Sequence, residues 1–329
     1  MSDNLVARYS VNGNPVEVLE IVNEPQPQPS SGEILIEMLY ASINPSDINM
    51  LEGTYGIKAT LPAIAGNEGC GKVLSLGSGV TGFKTGDLVK PPASRGTWRQ
   101  RLTCPASECI RLPESLSPEN ASMIYVNPPT AWRMLHDTVK LQPGEWVIQN
   151  AANSAVGRSV IQIAKALGWR TINLVRREEL VSELRELGGD IVAVEDPDLS
   201  KKIKEWTGGK PPRLALNAVG GDSASLLAKC LADGGHHVTY GAMSKQPLKL
   251  SNGFLIFKNI TFHGFWMTRW YKNAAAAERD ALFNELAMLF AAGKLKIAID
   301  KIFPLAEAKT AVGAALQEKR GGKILLKLN

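Results

Sequence analysis

The sequence predicts an α/β chain of two parts: a parallel, doubly wound sheet flanked by helices, and a smaller, mainly β unit. Three observations carry that expectation. From Glu145 onward, short apolar runs alternate with helical stripes closed by glycine, the pattern of consecutive βα units. Earlier, short strand-like runs are separated by Gly66, Gly69, Gly71, Gly77, Gly79, Gly82 and Gly86, the punctuation of turns. The length, 329 residues, suits two domains at about 150 residues each.

The elements follow in order. Glu33 to Tyr40 sets Ile34, Ile36, Met38 and Tyr40 at a period of two, which predicts a strand. Lys72 to Leu76, Asp87 to Lys90, Trp98 to Thr103 and Cys109 to Leu112 are further candidate strands, and the Pro/Gln stretch from Glu24 to Pro29 reads as a connector. Trp146 to Gln149 opens the βα series. The helix after it stripes Val156, Val160, Ile163, Ala164 and Leu167 on one face and stops at Gly168. Thr171 to Val175 is the next strand, followed by a helix with Leu180, Leu184 and Leu187 that ends at Gly188. Ile191 to Val194, Leu214 to Ala218, His237 to Tyr240 and Thr261 to Phe265 complete six strands. A further amphipathic helix carries Leu282, Leu286, Leu289 and Phe290; a helix over Leu305 to Gln317 and a strand over Ile324 to Leu328 are placed to return to the first unit.

Composition excludes several classes. Hydrophobic residues make up 44% and charged residues 21%, which argues against wholesale disorder. No run approaches 18 apolar residues, so no spanning helix and no membrane partner are expected. The start lacks a secretory signal pattern. The cytoplasm is therefore expected, or the mitochondrial matrix where a transit peptide has been removed. Net charge is +5, and the basic residues are scattered, so no nucleic-acid partner is expected. Cys70, Cys104, Cys109 and Cys230 form no CxxC and are expected as reduced thiols. His236-His237, beside a glycine pair, reads as a turn and strand start and not as a metal site.

The turn Ala151-Ala152-Asn153-Ser154-Ala155-Val156-Gly157 lies between a strand and a helix. A dinucleotide site needs small residues there, so that the backbone approaches a pyrophosphate at the helix N-terminus. A strict GxGxxG would place glycine at 152, 154 and 157; Ala152 and Ser154 stand in for two of the three. An ordinary small-residue turn is the alternative, and the strand–helix context favours the cofactor. The next strand ends Leu174-Val175-Arg176-Arg177, with no acid to hold a ribose 2′-hydroxyl. Two guanidinium groups suit a 2′-phosphate, so NADPH is predicted over NADH, against the plainer reading of two solvated arginines.

With these residues in hand, the chain resembles the medium-chain dehydrogenase/reductase superfamily. The landmarks are Asn44-Pro45-Ser46-Asp47, Gly66-Asn67-Glu68-Gly69, Gly86-Asp87-Leu88-Val89, the Ala151 to Gly157 turn and Gly322-Lys323-Ile324. It resembles more narrowly the 2-enoyl thioester reductases. That match rests on Gly53-Thr54-Tyr55-Gly56, Val126-Asn127-Pro128, Gln149-Asn150-Ala151, Val238-Thr239-Tyr240-Gly241-Ala242-Met243 and Gly264-Phe265-Trp266. The resemblance implies a GroES-like, mainly β catalytic domain over 1–118 and 297–329, and a Rossmann NADPH-binding domain over 119–296. It implies a homodimer formed through the Rossmann sheets. It also implies a cofactor lining of Asn127, Asn153, Ser154, Ala155, Val156, Gly157, Arg176, Arg177, Tyr240, Gly241, Ala242, Met243, Phe265, Trp266, Met267 and Lys323. Zinc-dependent members carry a Cys before the first helix and a His-Glu pair. Here Asn44 and Asn67-Glu68 stand there, and amides are poor zinc ligands, so no metal is expected.

The implied reaction is reduction of the C2=C3 bond of a trans-2-enoyl thioester, on coenzyme A or an acyl-carrier protein. Hydride reaches C3, an enolate forms on the thioester oxygen, and a proton reaches C2. Tyr55, in a glycine-flanked loop, is the candidate acid, with simple packing as its alternative role. Phe265 and Trp266 are expected to wall the pocket; Arg269, Lys272 and Arg320 read as solvated charges, with an acidic carrier surface as the alternative. A quinone or small-enone reductase and a non-enzymatic NADPH-binding protein are the rival functions.

Overall fold

The computed structural model describes residues 3–317 and 319–329. Two compact units make up the chain, Met1–Val126 with Ile297–Asn329, and Asn127–Lys296.

The first unit opens with β1 (Asp3–Tyr9), α1 (Pro15–Val18) and β2 (Leu19–Pro25). β1 and β2 pair antiparallel along their full length. Next come β3 (Glu33–Ser42), α2 (Pro45–Glu52), β4 (Ala63–Ile64), β5 (Gly69–Leu76), β6 (Leu88–Lys90), β7 (Arg101–Pro105), β8 (Ile110–Arg111) and α3 (Pro118–Ala121). In β3 the alternating set Ile34, Ile36 and Met38 is fully buried, yet Leu35 and Leu39 are buried too, so both faces of this strand are covered. The strand expected from Trp98 begins only at Arg101, because residues 98–100 turn to β1 instead: the Ala7 N–H donates to Trp98 O at 2.9 Å and the Gln100 N–H to Leu5 O at 3.0 Å. The unit continues past residue 118 to Val126, where the Tyr125 and Val126 N–H groups donate to Glu68 Oε1 at 2.8 and 2.7 Å.

The second unit runs α4 (Asn127–Asp137), β9 (Trp146–Gln149), α5 (Ala155–Ala166), β10 (Arg170–Val175), α6 (Val181–Leu187), β11 (Ile191–Val194), α7 (Leu199–Trp206), β12 (Leu214–Asn217), α8 (Gly221–Cys230), β13 (His236–Thr239), α9 (Asn252–Ile256), β14 (Thr261–Gly264), α10 (Met267–Asn273) and α11 (Ala276–Ala291). Its sheet has the order β11-β10-β9-β12-β13-β14, with every pair parallel. This is the doubly wound order of a dinucleotide-binding fold. The connections reverse direction between β9 and β12, and ligands of such sheets bind outside the carboxyl ends of the strands at that point. The apolar strand centres, Ile148, Ile172, Leu174, Ala215 and Leu216 among them, are fully buried, as a sheet covered on both faces requires.

The tail, β15 (Ile299–Pro304), α12 (Ala308–Leu316) and β16 (Lys323–Lys327), belongs to the first unit. β16 pairs with β3, completing a sheet of order β15-β16-β3-β5-β6-β8 with β7 on β3. Ala308, Ala311, Val312, Ile324 and Leu326 share one core with Ile34, Ile36, Met38 and Trp98.

Candidate functional site

In the second unit the chain leaves β9 at its carboxyl end and turns sharply into α5. Ala151 takes a left-handed φ of 47°, the Ala152 N–H donates to Leu174 O at 3.1 Å, and the Ser154 N–H donates to Ala151 O at 2.9 Å. Ser154 then caps α5, its Oγ accepting from the Gly157 N–H at 3.1 Å. Gly157 is required by packing: a Cβ there would lie 2.6 Å from Ala152 O and 2.7 Å from its Cα. That is the close helix–strand approach served by the third glycine of a dinucleotide fingerprint. Arg158 braces the turn from behind, donating from Nε to Asn153 O at 3.0 Å and pairing with Glu183 at 2.7 Å.

Neighbouring strand ends bring Arg176, Arg177, Tyr240 to Met243 and Phe265 to the same edge of the sheet. The Tyr240 N–H donates to Asn217 O and the Met243 N–H to Ala218 O, each at 3.0 Å. A Cβ on Gly241 would lie 2.8 Å from Ala218 O. Beyond β14, the Phe265 N–H donates to Thr239 O at 2.9 Å; Phe265 and Trp266 are half-buried and Met267 is buried at the start of α10. Asn127 is buried at the start of α4. Met243 is exposed. Beyond β10, Arg176 is exposed and Arg177 is half-buried, 3.4 Å from Glu179. Burial raises the carboxyl of Glu195, against the Ser223 hydroxyl it accepts and the nearby Arg176. The Tyr240 hydroxyl is buried without a well-formed hydrogen bond; burial pushes its phenol far up, with the Ser154 hydroxyl the one polar group acting against that.

A polar clasp beneath this edge has no counterpart in the sequence reading. Asn150 Nδ2 donates to Asn217 Oδ1 at 2.8 Å and to Ser223 Oγ at 2.9 Å. Ser223 donates to Glu195 at 2.7 Å, and Asn217 Nδ2 donates to Thr239 Oγ1 at 3.1 Å. The signal was available, since β9 and β12 are apolar strands that end in Gln149-Asn150 and Asn217. The residues present fit a dinucleotide phosphate. Small side chains line the turn, α5 offers its N-terminus, and arginines occupy the place of a ribose-binding acid.

In the first unit, Tyr55 follows α2. Gly53 ends that helix at a φ of 76°, and the Thr54 and Tyr55 N–H groups donate to Asn49 O at 2.8 and 3.1 Å. Asn12 Nδ2 donates to Met50 O at 3.0 Å, so the loop is tethered, with Tyr55 half-buried on it. Lys323 is buried on β16, its ammonium donating to Ile43 O and Asn44 Oδ1 at 2.6 Å each. Asn44 Nδ2 donates to Glu68 Oε2 at 2.8 Å, as does Ser42 Oγ at 2.6 Å. Asp47 accepts from Asn44 N at 2.7 Å and from Asn67 N and Nδ2 at 2.8 Å. Burial pushes the Asp47 carboxyl up to about 6 against these donors and Lys323. Burial likewise lowers Lys323 to about 8, opposed by Glu68 and Asp47. This donor set does not fit zinc. Asn44 and Asn67 offer amides, and the Asn44 oxygen already faces an ammonium.

Known proteins share this architecture. Residues 30–114 match the family described as alcohol dehydrogenase GroES-like domain, and residues 155–281 match the zinc-binding dehydrogenase family. The mitochondrial enoyl-[acyl-carrier-protein] reductase of Dictyostelium discoideum is 40% identical over 99% of this chain and 97% of its own. Among solved structures, a mitochondrial 2-enoyl thioester reductase heterodimer from Candida tropicalis superposes with a TM-score of 0.91 at 33% identity, over 99% of this chain and 100% of that one. A complex of Etr1p with NADP and crotonyl-CoA gives a TM-score of 0.91 at 32% identity, over 99% and 100% of the two chains. The protein therefore belongs to the enoyl thioester reductase branch of the medium-chain dehydrogenase/reductase superfamily.

Proposed function

We propose that this chain reduces the C2=C3 bond of trans-2-enoyl thioesters with NADPH, the acyl group being carried by coenzyme A or an acyl-carrier protein. One observation carries the reading: the small-residue turn into α5, closed by Gly157 and flanked by Arg176 and Arg177, in a chain similar to enoyl thioester reductases over nearly its whole length. Asn153 to Gly157 take the pyrophosphate, Arg176 and Arg177 the 2′-phosphate, and Asn127, Tyr240 to Met243 and Phe265 to Met267 line the remaining cofactor. Bound NADPH supplies the hydride that the β-carbon accepts. Tyr55 holds the enolate oxygen or passes a proton to C2. Lys323, expected from the sequence to line the cofactor, instead acts through the buried cluster it anchors by way of Ile43 O and Asn44 Oδ1. The reaction needs no metal ion: hydrogen-bond donors suffice for an enolate, and the amides of Asn44 and Asn67 leave zinc without a site.

The working form is a homodimer built on the second unit. β14 is an edge strand, and beside it in sequence Leu255, Ile256 and Phe257 are 53%, 69% and 82% exposed, an apolar group a second copy would cover. The compartment is a reducing one, the mitochondrial matrix for a mitochondrial form and the cytoplasm otherwise. No helix among the described residues is long and apolar enough to cross a membrane.

The deciding experiment follows NADPH oxidation by the purified chain against a ladder of trans-2-enoyl-CoA lengths, with a quinone alongside. Turnover of crotonyl-CoA or longer enoyl-CoAs, faster with NADPH than with NADH, is expected. Turnover of the quinone alone assigns a quinone reductase. Tight NADPH binding without turnover of either assigns a binding protein.

A further inference from the structure

Cys104 lies near the end of β7, and Cys109 precedes β8; the single 3₁₀ turn Ala106–Glu108 joins them. Cys104 is fixed by its register with Ile34 of β3 and is fully buried. The chain comes straight back because the Ala106 N–H donates to Gly32 O at 3.0 Å and the Cys109 N–H donates to Ala106 O at 3.1 Å. The two sulfurs therefore meet, with Sγ atoms 3.1 Å apart. A disulfide bond spans about 2.05 Å, so closure asks each sulfur to move about half an ångström, well within side-chain adjustment.

The surroundings distinguish the two thiols. Cys109 is half-buried, whereas Cys104 is fully buried. Lys90 sits on β6 directly opposite Ile110, the residue after Cys109. Its buried Nζ lies 3.4 Å from the centroid of the Tyr125 ring; burial lowers its amine to about 7, opposed first by Glu68 and then by the two sulfurs. The hydrogen bond to Cys109, reinforced by burial, pushes the Cys104 thiol up. The other cysteines are solitary: Cys70 donates to Pro118 O at 3.1 Å, and burial pushes the Cys70 and Cys230 thiols up to about 12.

We propose that Cys104 and Cys109 form a reversible oxidation site, converted by hydroperoxides to an intramolecular disulfide, with Cys109 attacking and Cys104 resolving. In the first step the Cys109 thiolate attacks the peroxide. An S–O bond forms, the O–O bond breaks, and the departing oxygen takes a proton to leave as water or an alcohol. The Cys109 sulfur, now a sulfenic acid, has lost two electrons to the peroxide. In the second step Cys104 attacks Cys109 Sγ. The S–S bond forms, the S–O bond breaks, and hydroxide leaves as water with the Cys104 proton. Two thiols and one hydroperoxide thus give one disulfide, one water and one further water or alcohol. A dithiol reductant reverses the reaction.

The site adjoins the buried cluster of the first unit. Lys90, which faces both sulfurs, is stacked on Tyr125, and the Tyr125 N–H holds Glu68.

The test uses the full chain. Both cysteines fall on one tryptic peptide, Leu102 to Arg111, so oxidation reads directly as a peptide two hydrogens lighter that resists alkylation until reduced. After hydrogen peroxide treatment this product should form at least about tenfold faster in the folded protein than in urea-unfolded chain, and dithiothreitol should restore both thiols. Cys70 and Cys230 should stay reduced. Cys104→Ser should trap Cys109 as a sulfenic acid that reacts with dimedone. Should Cys104→Ser not fold, the wild-type digest alone decides. The proposal is overturned by equal rates in folded and unfolded chain, by both thiols remaining alkylatable, or by Cys109 passing to the sulfinic acid without a disulfide.

Discussion

Tyr55→Phe removes one oxygen and leaves the ring, so it separates proton supply from packing. Tyr55 belongs to the first unit, while the proposed phosphate contacts all belong to the second, so NADPH affinity should stay at its wild-type value. The loss should fall on kcat with crotonyl-CoA, about 10²-fold if the phenol supplies general-acid help. Both constants within about twofold of wild type would leave the phenol a packing role only. Arg176 gives the complementary measurement. It is exposed and its guanidinium lies near Glu195, where it can meet a phosphate. A charge-assisted contact contributes about 1.5–3 kcal/mol, so Arg176→Ala should weaken NADPH about tenfold or more and leave NADH unchanged. Titration of both cofactors by fluorescence reads the split, and an equal effect on the two would remove the 2′-phosphate assignment.

At the scale of elements, the turn between β9 and α5 depends on Gly157. A Cβ there must displace backbone atoms of Ala152 rather than a flexible side chain. Gly157→Ala should therefore lower stability by about 1–3 kcal/mol and weaken NADPH, since the same shift moves the N-terminus of α5. Urea midpoints together with cofactor titration test this; an unaltered midpoint would mean that the turn relaxes freely. The central strands of the parallel sheet were legible because they are short apolar runs ended by glycine or a polar residue. β1, β2 and β15 were not. β15 is exposed along nearly all its length, and the strand-forming residues of β2 are half-covered, so neither shows the periodicity that burial imposes. The same limit applies to the site. The spacing of small residues and the Arg176-Arg177 pair were readable as chemistry. The polar ends of β9 and β12 were readable, but the pairing of Asn150 with Asn217 and Ser223 and the meeting of Cys104 with Cys109 were not, because each depends on strand register or on a single 3₁₀ turn that no local pattern encodes.

At the scale of the whole molecule, two properties are open to measurement. Ile256→Asp combined with Phe257→Asp puts charge into the exposed apolar group at the end of α9. Sedimentation should show the wild type as a dimer and this variant as a monomer, and a variant that stays dimeric would move the interface elsewhere. The second property is acid stability. His237 lies inside the parallel sheet, fully buried, with neither ring nitrogen in a well-formed hydrogen bond and the Phe262 ring 5.0 Å away, centroid to centroid. Burial lowers its pKa to about 4, while the unfolded chain titrates near its ordinary value of about 6.5. Between those values the unfolded state binds a proton that the folded state refuses. The contribution of His237 is therefore complete above about pH 6.5 and is lost as pH falls toward 4. At pH 5 the loss amounts to about 2 kcal/mol relative to pH 7.5, at 1.36 kcal/mol per unit. Burial lowers His136 and His236 as well, which adds to the slope with the same sign. His237→Leu fills the same apolar surroundings without a titrating group. It should leave the urea midpoint at pH 7.5 nearly unchanged and recover most of the loss at pH 5; an equally steep pH dependence in that variant would assign the acid sensitivity to other groups.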